Sequence, residues 1–97
     1  MPFFQGKAGA FPLPRIDMAA TGRNIDRLRR ASGFSVRELQ RALILSSPQA
    51  VYKWLRGEAL PSLDNLLALS RLLGAAMEEI LVCASSEGAE GEGRRSL

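Results

Sequence analysis

The chain has 97 residues, 46% of them hydrophobic and 24% charged, with a formal net charge of +3; this suits one small globular domain. A single cysteine, Cys83, excludes an internal disulfide, and the absence of histidine excludes His-based catalysis and His metal sites. No apolar run reaches the ~18 residues of a membrane span, and the first residues lack the basic-then-apolar order of a secretory leader, so a cytoplasmic setting and no membrane partner are expected.

Residues 1–15 hold Pro2, Pro12, Pro14, Gly6 and Gly9, which oppose a helix. They are expected to form a disordered extension. Phe3, Phe4 and Phe11 give it some docking capacity, and Met18 offers a downstream start.

The first clear helix is expected from Thr21, whose oxygen can cap the first turn. Residues 17–20 add at most a lead-in turn. Ile25 and Leu28 face a core, Arg23, Asp26, Arg27, Arg29 and Arg30 take the other faces, and Gly33 suits a left-handed C-terminal cap. The second helix begins at Ser35, with Glu38 three residues on, a capping box. Val36, Leu39, Ala42 and Leu43 form its inner side.

Residues 44–46 connect to a third helix, with Ser47 as cap and Pro48 in the first helical position. About three turns are expected. Val51, Trp54 and Leu55 point inward, while Gln49, Ala50, Tyr52, Lys53 and Arg56 lie on or near the other side. Gly57 stops it.

Ser62 caps a fourth helix, which Gly74 ends. Leu63, Leu66, Leu67, Leu69, Leu72 and Leu73 make it the most apolar element, expected at the centre of the bundle. A last helix over 76–82 packs through Met77, Ile80 and Leu81. From Ala84 the chain is rich in glycine and glutamate, as disordered tails are. The domain is therefore placed at 16–82, between the extension at 1–15 and a tail at 83–97.

The ordered set of motifs carries a resemblance. Asn24-Ile25-Asp26-Arg27-Leu28-Arg29, Gly33-Phe34-Ser35-Val36-Arg37-Glu38-Leu39, Val51-Tyr52-Lys53-Trp54-Leu55-Arg56-Gly57 and Leu60-Pro61-Ser62-Leu63-Asp64-Asn65-Leu66 follow in that order. With the Leu72-Leu73-Gly74 to Ile80-Leu81 ending, they resemble the lambda-repressor/Cro-like helix-turn-helix domain, the XRE family, and within it a bacterial subgroup. The resemblance implies an all-α, compact five-helix bundle that binds double-stranded DNA as a transcriptional regulator, expected to be a repressor and a homodimer. In such domains the second helix of the pair enters the major groove.

Carried over residue by residue, Gln49, Ala50 and Lys53 are the candidate base readers. A glutamine amide pairs with adenine, a lysine reaches guanine acceptors, and an alanine touches a thymine methyl. Ser35, Arg37, Ser47, Tyr52, Arg56, Ser62 and Asn65 are candidates for the DNA backbone. Three positions depart from the family pattern. Ile44 stands where glycine is usual in the turn, and a β-branched residue resists positive φ, so a turn of different form is expected. Val36 replaces a habitual glutamine. Leu55 replaces a glutamate that pairs with the helix-one arginine, so Arg29 is expected to be free or to pair with Glu58.

Between residues 23 and 79 there are nine basic residues against six acidic ones, a modest excess for phosphate binding. The alternative is a protein-interaction module, such as an antitoxin-like domain that binds a protein partner. An enzyme is not expected, and no cofactor or metal. The chain has no paired carboxylates at catalytic spacing, no metal-ligand cluster and no glycine-rich phosphate loop, and Glu78 and Glu79 diverge on their helix.

Overall fold

A computed structural model describes residues 13–84. The expected extension and tail lie largely outside these residues. The described residues hold five helices: α1 (Met18–Ala31), α2 (Val36–Ala42), α3 (Gln49–Leu55), α4 (Leu63–Leu73) and α5 (Met77–Ile80). The all-α, five-helix expectation holds.

Three of the helix starts are set by short polar side chains. In α1 the Asp17 carboxylate accepts the Ala20 N–H at 2.9 Å. Thr21 is therefore not the cap; it lies one turn inside α1 and is fully buried. Its hydroxyl oxygen accepts the Val82 N–H at 2.9 Å, so a residue that local chemistry suits to a cap serves instead as a long-range tie. At α2 the capping box forms as expected, with Glu38 N–H to Ser35 Oγ at 3.0 Å and Ser35 N–H to Glu38 Oε1 at 2.8 Å. At α4 the Ser62 Oγ accepts the Asn65 N–H at 3.2 Å. Each such cap contributes about 1 kcal/mol.

The start of α3 differs by one residue. Pro48 is the cap residue rather than the first helical one, and the helix has seven residues, nearer two turns than three. Ser47 still helps, since its Oγ accepts the Gln49 N–H at 3.3 Å. At the other end of the chain α5 is a single turn, not a helix over 76–82. Cys83 instead forms an isolated antiparallel bridge with Ile16, with Asp17 N–H to Val82 O and Ala84 N–H to Arg15 O, both at 2.7 Å. The flanks thus pair with each other, and a turn of helix is given up for that pairing.

The core contains Ile25, Leu39, Val51, Trp54, Leu66, Leu69, Leu73, Ala75 and Ile80. Burying a large apolar side chain contributes roughly 1.5–3 kcal/mol, so these residues dominate stability. Several residues assigned to inner faces lie outside: Leu63 is 80% exposed, and Ala42, Leu67 and Met77 are also exposed. A helix with leucine at 63, 66, 67, 69, 72 and 73 has apolar residues round most of its circumference. One side of it must face water. Helix α1 packs mainly on α3, and α4 mainly on α5. The α1–α3 crossing is the most extensive helix contact, while α4 supplies three core residues, Leu66, Leu69 and Leu73.

That crossing depends on glycine. A Cβ at Gly22 would lie 2.4 Å from the Trp54 carbonyl oxygen and 2.7 Å from that of Leu55. Bare backbone is required for α1 to seat against the end of α3.

The turn between α2 and α3 corrects a further expectation. Ile44 adopts φ 56°, the left-handed conformation. The loop closes as glycine-bearing helix ends do, with Ile44 N–H to Arg41 O at 3.1 Å and Leu45 N–H to Gln40 O at 2.9 Å. Gln40 Nε2 adds a bond to the Leu45 carbonyl at 3.3 Å. The turn therefore keeps the left-handed form that β-branching was expected to forbid. Leu39, Leu43 and Leu45 pack in or against the core on either side of it, and that packing outweighs the local strain.

Candidate nucleic-acid interface

Helix α3 presents two faces. Val51 and Trp54 are buried, while Gln49, Tyr52, Lys53 and Arg56 are exposed. The exposed four stand at i, i+3, i+4 and i+7, one continuous stripe along the helix and its C-cap. Ala50 differs from the other proposed readers: it is half-buried and packs against the core, at the edge of the stripe.

The stripe is held from both ends. At its start, Ser47 fixes the Gln49 N–H. At its finish, Gly57 takes φ 74°, with Gly57 N–H to Trp54 O at 3.0 Å and Glu58 N–H to Lys53 O at 2.9 Å. A Cβ at Gly57 would also lie 2.8 Å from Ala19 Cα. Gly22 and Gly57 together let the first half of α1 brace the far end of α3.

The proposed backbone contacts are spread over three helix starts. Ser35 and Arg37 belong to the start of α2, Ser47 to that of α3, and Ser62 and Asn65 to that of α4. The hydroxyl oxygens of Ser35, Ser47 and Ser62 already accept backbone N–H groups. Their hydroxyl protons stay available to donate to a phosphate. Arg37 and Lys53 are exposed and make no ion pair among the described residues.

Two charge clusters flank the site. Arg29 is neither free nor paired with Glu58. Its Nε and Nη2 donate to Asp26 Oδ1 at 3.0 and 2.7 Å, and its Nη1 to the Phe34 carbonyl at 2.8 Å. Without a glutamate at position 55, the arginine turns back on its own helix and ties α1 to the residue before α2's cap. Arg30 adds a bond to Asp26 Oδ2 at 2.9 Å. Burial pushes the Asp26 carboxyl up, but hydrogen bonds and charge from Arg29 and Arg30 together hold it below the usual carboxylate range.

The other cluster is Arg56 with Glu58, at 2.7 Å and 3.2 Å through both carboxylate oxygens. The Arg56 hydrogen bond, with smaller help from the Arg56 and Lys53 charges, holds the Glu58 carboxyl low. Glu58 at the site went unnoticed in the sequence as a partner of Arg56. The available signal was Gly57, because a left-handed residue at a helix end folds the next side chain back over the last turn.

A helix-turn-helix family profile matches residues 25–80, more than half of the chain. No curated protein matches. Among solved structures, the restriction-modification controller protein C.AhdI from Aeromonas hydrophila is similar at 30% identity, over 66% of this chain and 96% of that one, with a TM-score of 0.59. The clp gene regulator ClgR from C. glutamicum is similar at 27% identity, over 72% and 86%, with a TM-score of 0.57. A hypothetical transcription factor, NHTF, from Neisseria shares the fold at 23% identity, over 80% and 93%, with a TM-score of 0.59. The chain belongs to the helix-turn-helix family, in its XRE type of DNA-binding regulators. In it α2 and α3 are the helix-turn-helix pair, with Ile44 in the turn. Among the described residues no helix is long and apolar enough to cross a membrane.

Proposed function

We propose that the protein is a transcriptional repressor that binds double-stranded DNA sequence-specifically, as a homodimer, with α3 in the major groove. The observation that carries this is the α3 stripe: four exposed polar or basic side chains in line, on a helix braced from behind through Gly22. A helix of this size fits the groove, and its N-terminal residues meet base edges. Gln49 is the first residue of α3 and is exposed, which supports it as the reader of an adenine. Lys53, one turn on, is placed to reach guanine acceptors. Ala50 is left with only its methyl edge for a thymine. Tyr52 and Arg56 flank the readers and suit sugar and phosphate, while Ser35, Arg37, Ser47, Ser62 and Asn65 supply donors at helix starts. Nothing in the fold or the comparisons favours a partner-binding module over this.

Selection of bound sequences from a random duplex pool tests the proposal. Two half-sites about one helical turn apart, roughly 34 Å, are expected for a dimer. If about six phosphates are neutralised, log K falls with log salt at a slope near −5. Gln49→Ala should cost about 1–3 kcal/mol at one operator position, whereas Arg37→Ala should weaken binding to all sequences alike. No enrichment from the pool, or an affinity indifferent to salt, removes the proposal. Equal losses on every sequence for Gln49→Ala remove that residue as a reader.

A further inference from the structure

Arg56 ends the stripe that begins at Gln49, and on geometry it should be free to meet a phosphate. It is not free. Its Nε and Nη2 face the two carboxylate oxygens of Glu58 at 2.7 and 3.2 Å. Glu58 is held there by its own backbone, because the left-handed Gly57 returns the Glu58 N–H to the Lys53 carbonyl. An anion thus sits at the end of the basic side of α3, beside two of the cations that would face DNA. The side chains of Arg56 and Glu58 are 53% and 52% exposed. An ion pair that open to water is weak and can be exchanged for another anion at little cost.

We propose that Glu58 is a resident counter-anion of the DNA-facing surface, holding Arg56 in the free protein and yielding it to a backbone phosphate on binding. This rests on the DNA-binding function proposed above and adds its regulation. A bidentate carboxylate and a phosphate present the same fork-matched oxygens to a guanidinium, so the exchange needs little rearrangement of Arg56. The exchange lowers affinity for every duplex by a similar factor, because phosphate contacts carry no sequence information. It thereby lowers occupancy of operator and non-operator DNA alike and leaves the base contacts of Gln49 untouched. It also changes the ion balance: a released Glu58 takes up a cation, which offsets a cation released from the phosphate.

The test uses a labelled mixed-sequence duplex titrated with the full chain across a salt series. Glu58→Gln should bind roughly two- to fivefold more tightly per protomer at low salt, and its log K against log salt should be steeper by about 0.9 per protomer. In an Arg56→Gln background the same Glu58→Gln change should give a clearly smaller gain, since only the effect of Glu58 on Lys53 and on nearby phosphates remains. In the unsubstituted protein the Arg56 Nε–H resonance should shift on saturation with the duplex, a measurement that needs no variant. An unchanged affinity and slope for Glu58→Gln, an undiminished gain in the Arg56→Gln background, or a static Arg56 Nε–H signal in the bound state each overturns the exchange while DNA binding stands. Failure of the unsubstituted chain to bind any duplex overturns both.

Discussion

Gly22→Ala sets two opposed physical effects against each other. Alanine in a helix is favoured over glycine by about 0.8–1.0 kcal/mol, so on local propensity the variant gains stability. The added Cβ would lie 2.4 Å from the Trp54 carbonyl oxygen, 2.7 Å from that of Leu55 and 3.0 Å from the Leu55 carbonyl carbon. Ordinary carbon contacts begin near 3.5 Å, so α1 and α3 must part by roughly 1 Å. The obstructing atoms are backbone, and the Trp54 oxygen already accepts the Gly57 N–H, so no side-chain rotation gives relief. Overpacking of this kind costs about 1–3 kcal/mol, and sometimes more. The net expectation is a loss of about 1–2 kcal/mol, or a Tm lowered by roughly 5–15 °C for a domain of this size. Urea unfolding followed by the emission of Trp54, the single and buried tryptophan, measures it, with an unchanged m-value expected. A variant equal to or more stable than the parent would refute the claim that the α1–α3 contact depends on bare backbone.

Ile44→Gly should stabilise the protein. A left-handed non-glycine residue costs about 1–2 kcal/mol, glycine returns about 0.5–1 kcal/mol of that as unfolded-state entropy, and the Ile44 side chain is 90% exposed, so little burial is lost; a lower urea midpoint would contradict this. Asp26→Asn should flatten the acid limb of the stability curve. The Asp26 pKa is lowered in the folded state, so its contribution is fully present above the unfolded value of about 3.9 and is lost as pH falls through the folded pKa; urea titrations at pH 7 and across the acid range check both the flattening and a lower stability at neutral pH. Beginning the chain at Met18 rather than at Leu13 removes the Asp17 cap, worth about 1 kcal/mol, and the backbone bonds from Asp17 to Val82 and from Ala84 to Arg15. Equal melting temperatures for the two forms would show that the pairing of the flanks adds nothing.

Local chemistry was readable where it acts alone. The Ser35–Glu38 box, the Ser62 cap, the left-handed Gly33 and the helix stops at Gly57 and Gly74 depend on a few neighbouring residues, and each forms as the sequence implies. Two of the expectations that failed depend on partners far along the chain, while the start of α3, the Ile44 turn and the Arg29 pairing were decided by near neighbours. Thr21 is chemically suited to a cap and is drawn inside by Val82. The last helix ends early because Cys83 pairs with Ile16. Ile44 accepts a strained backbone because the leucines around it are committed to the core. In α4 the leucines were too numerous for periodicity to pick the buried side, and Leu63 and Leu67 fell on the wrong one. At the interface, the exposed stripe followed from helical spacing, but the occupant of Arg56 did not, because a side chain folded back by a left-handed residue has no periodic signature.

The hydroxyl of Thr21 has a consequence for how the domain is made. It is buried in α1, yet the N–H it accepts belongs to Val82, 61 residues later. A chain still on the ribosome can complete both members of the helix-turn-helix pair before that partner exists. Until then the Thr21 hydroxyl lacks its Val82 partner and the α1 side of that contact is open to water. The contact of α1 with the segment after α5 forms only once that segment has emerged. The hydrogen bond from Val82 N–H to Thr21 thus couples the first helix to the segment that follows α5.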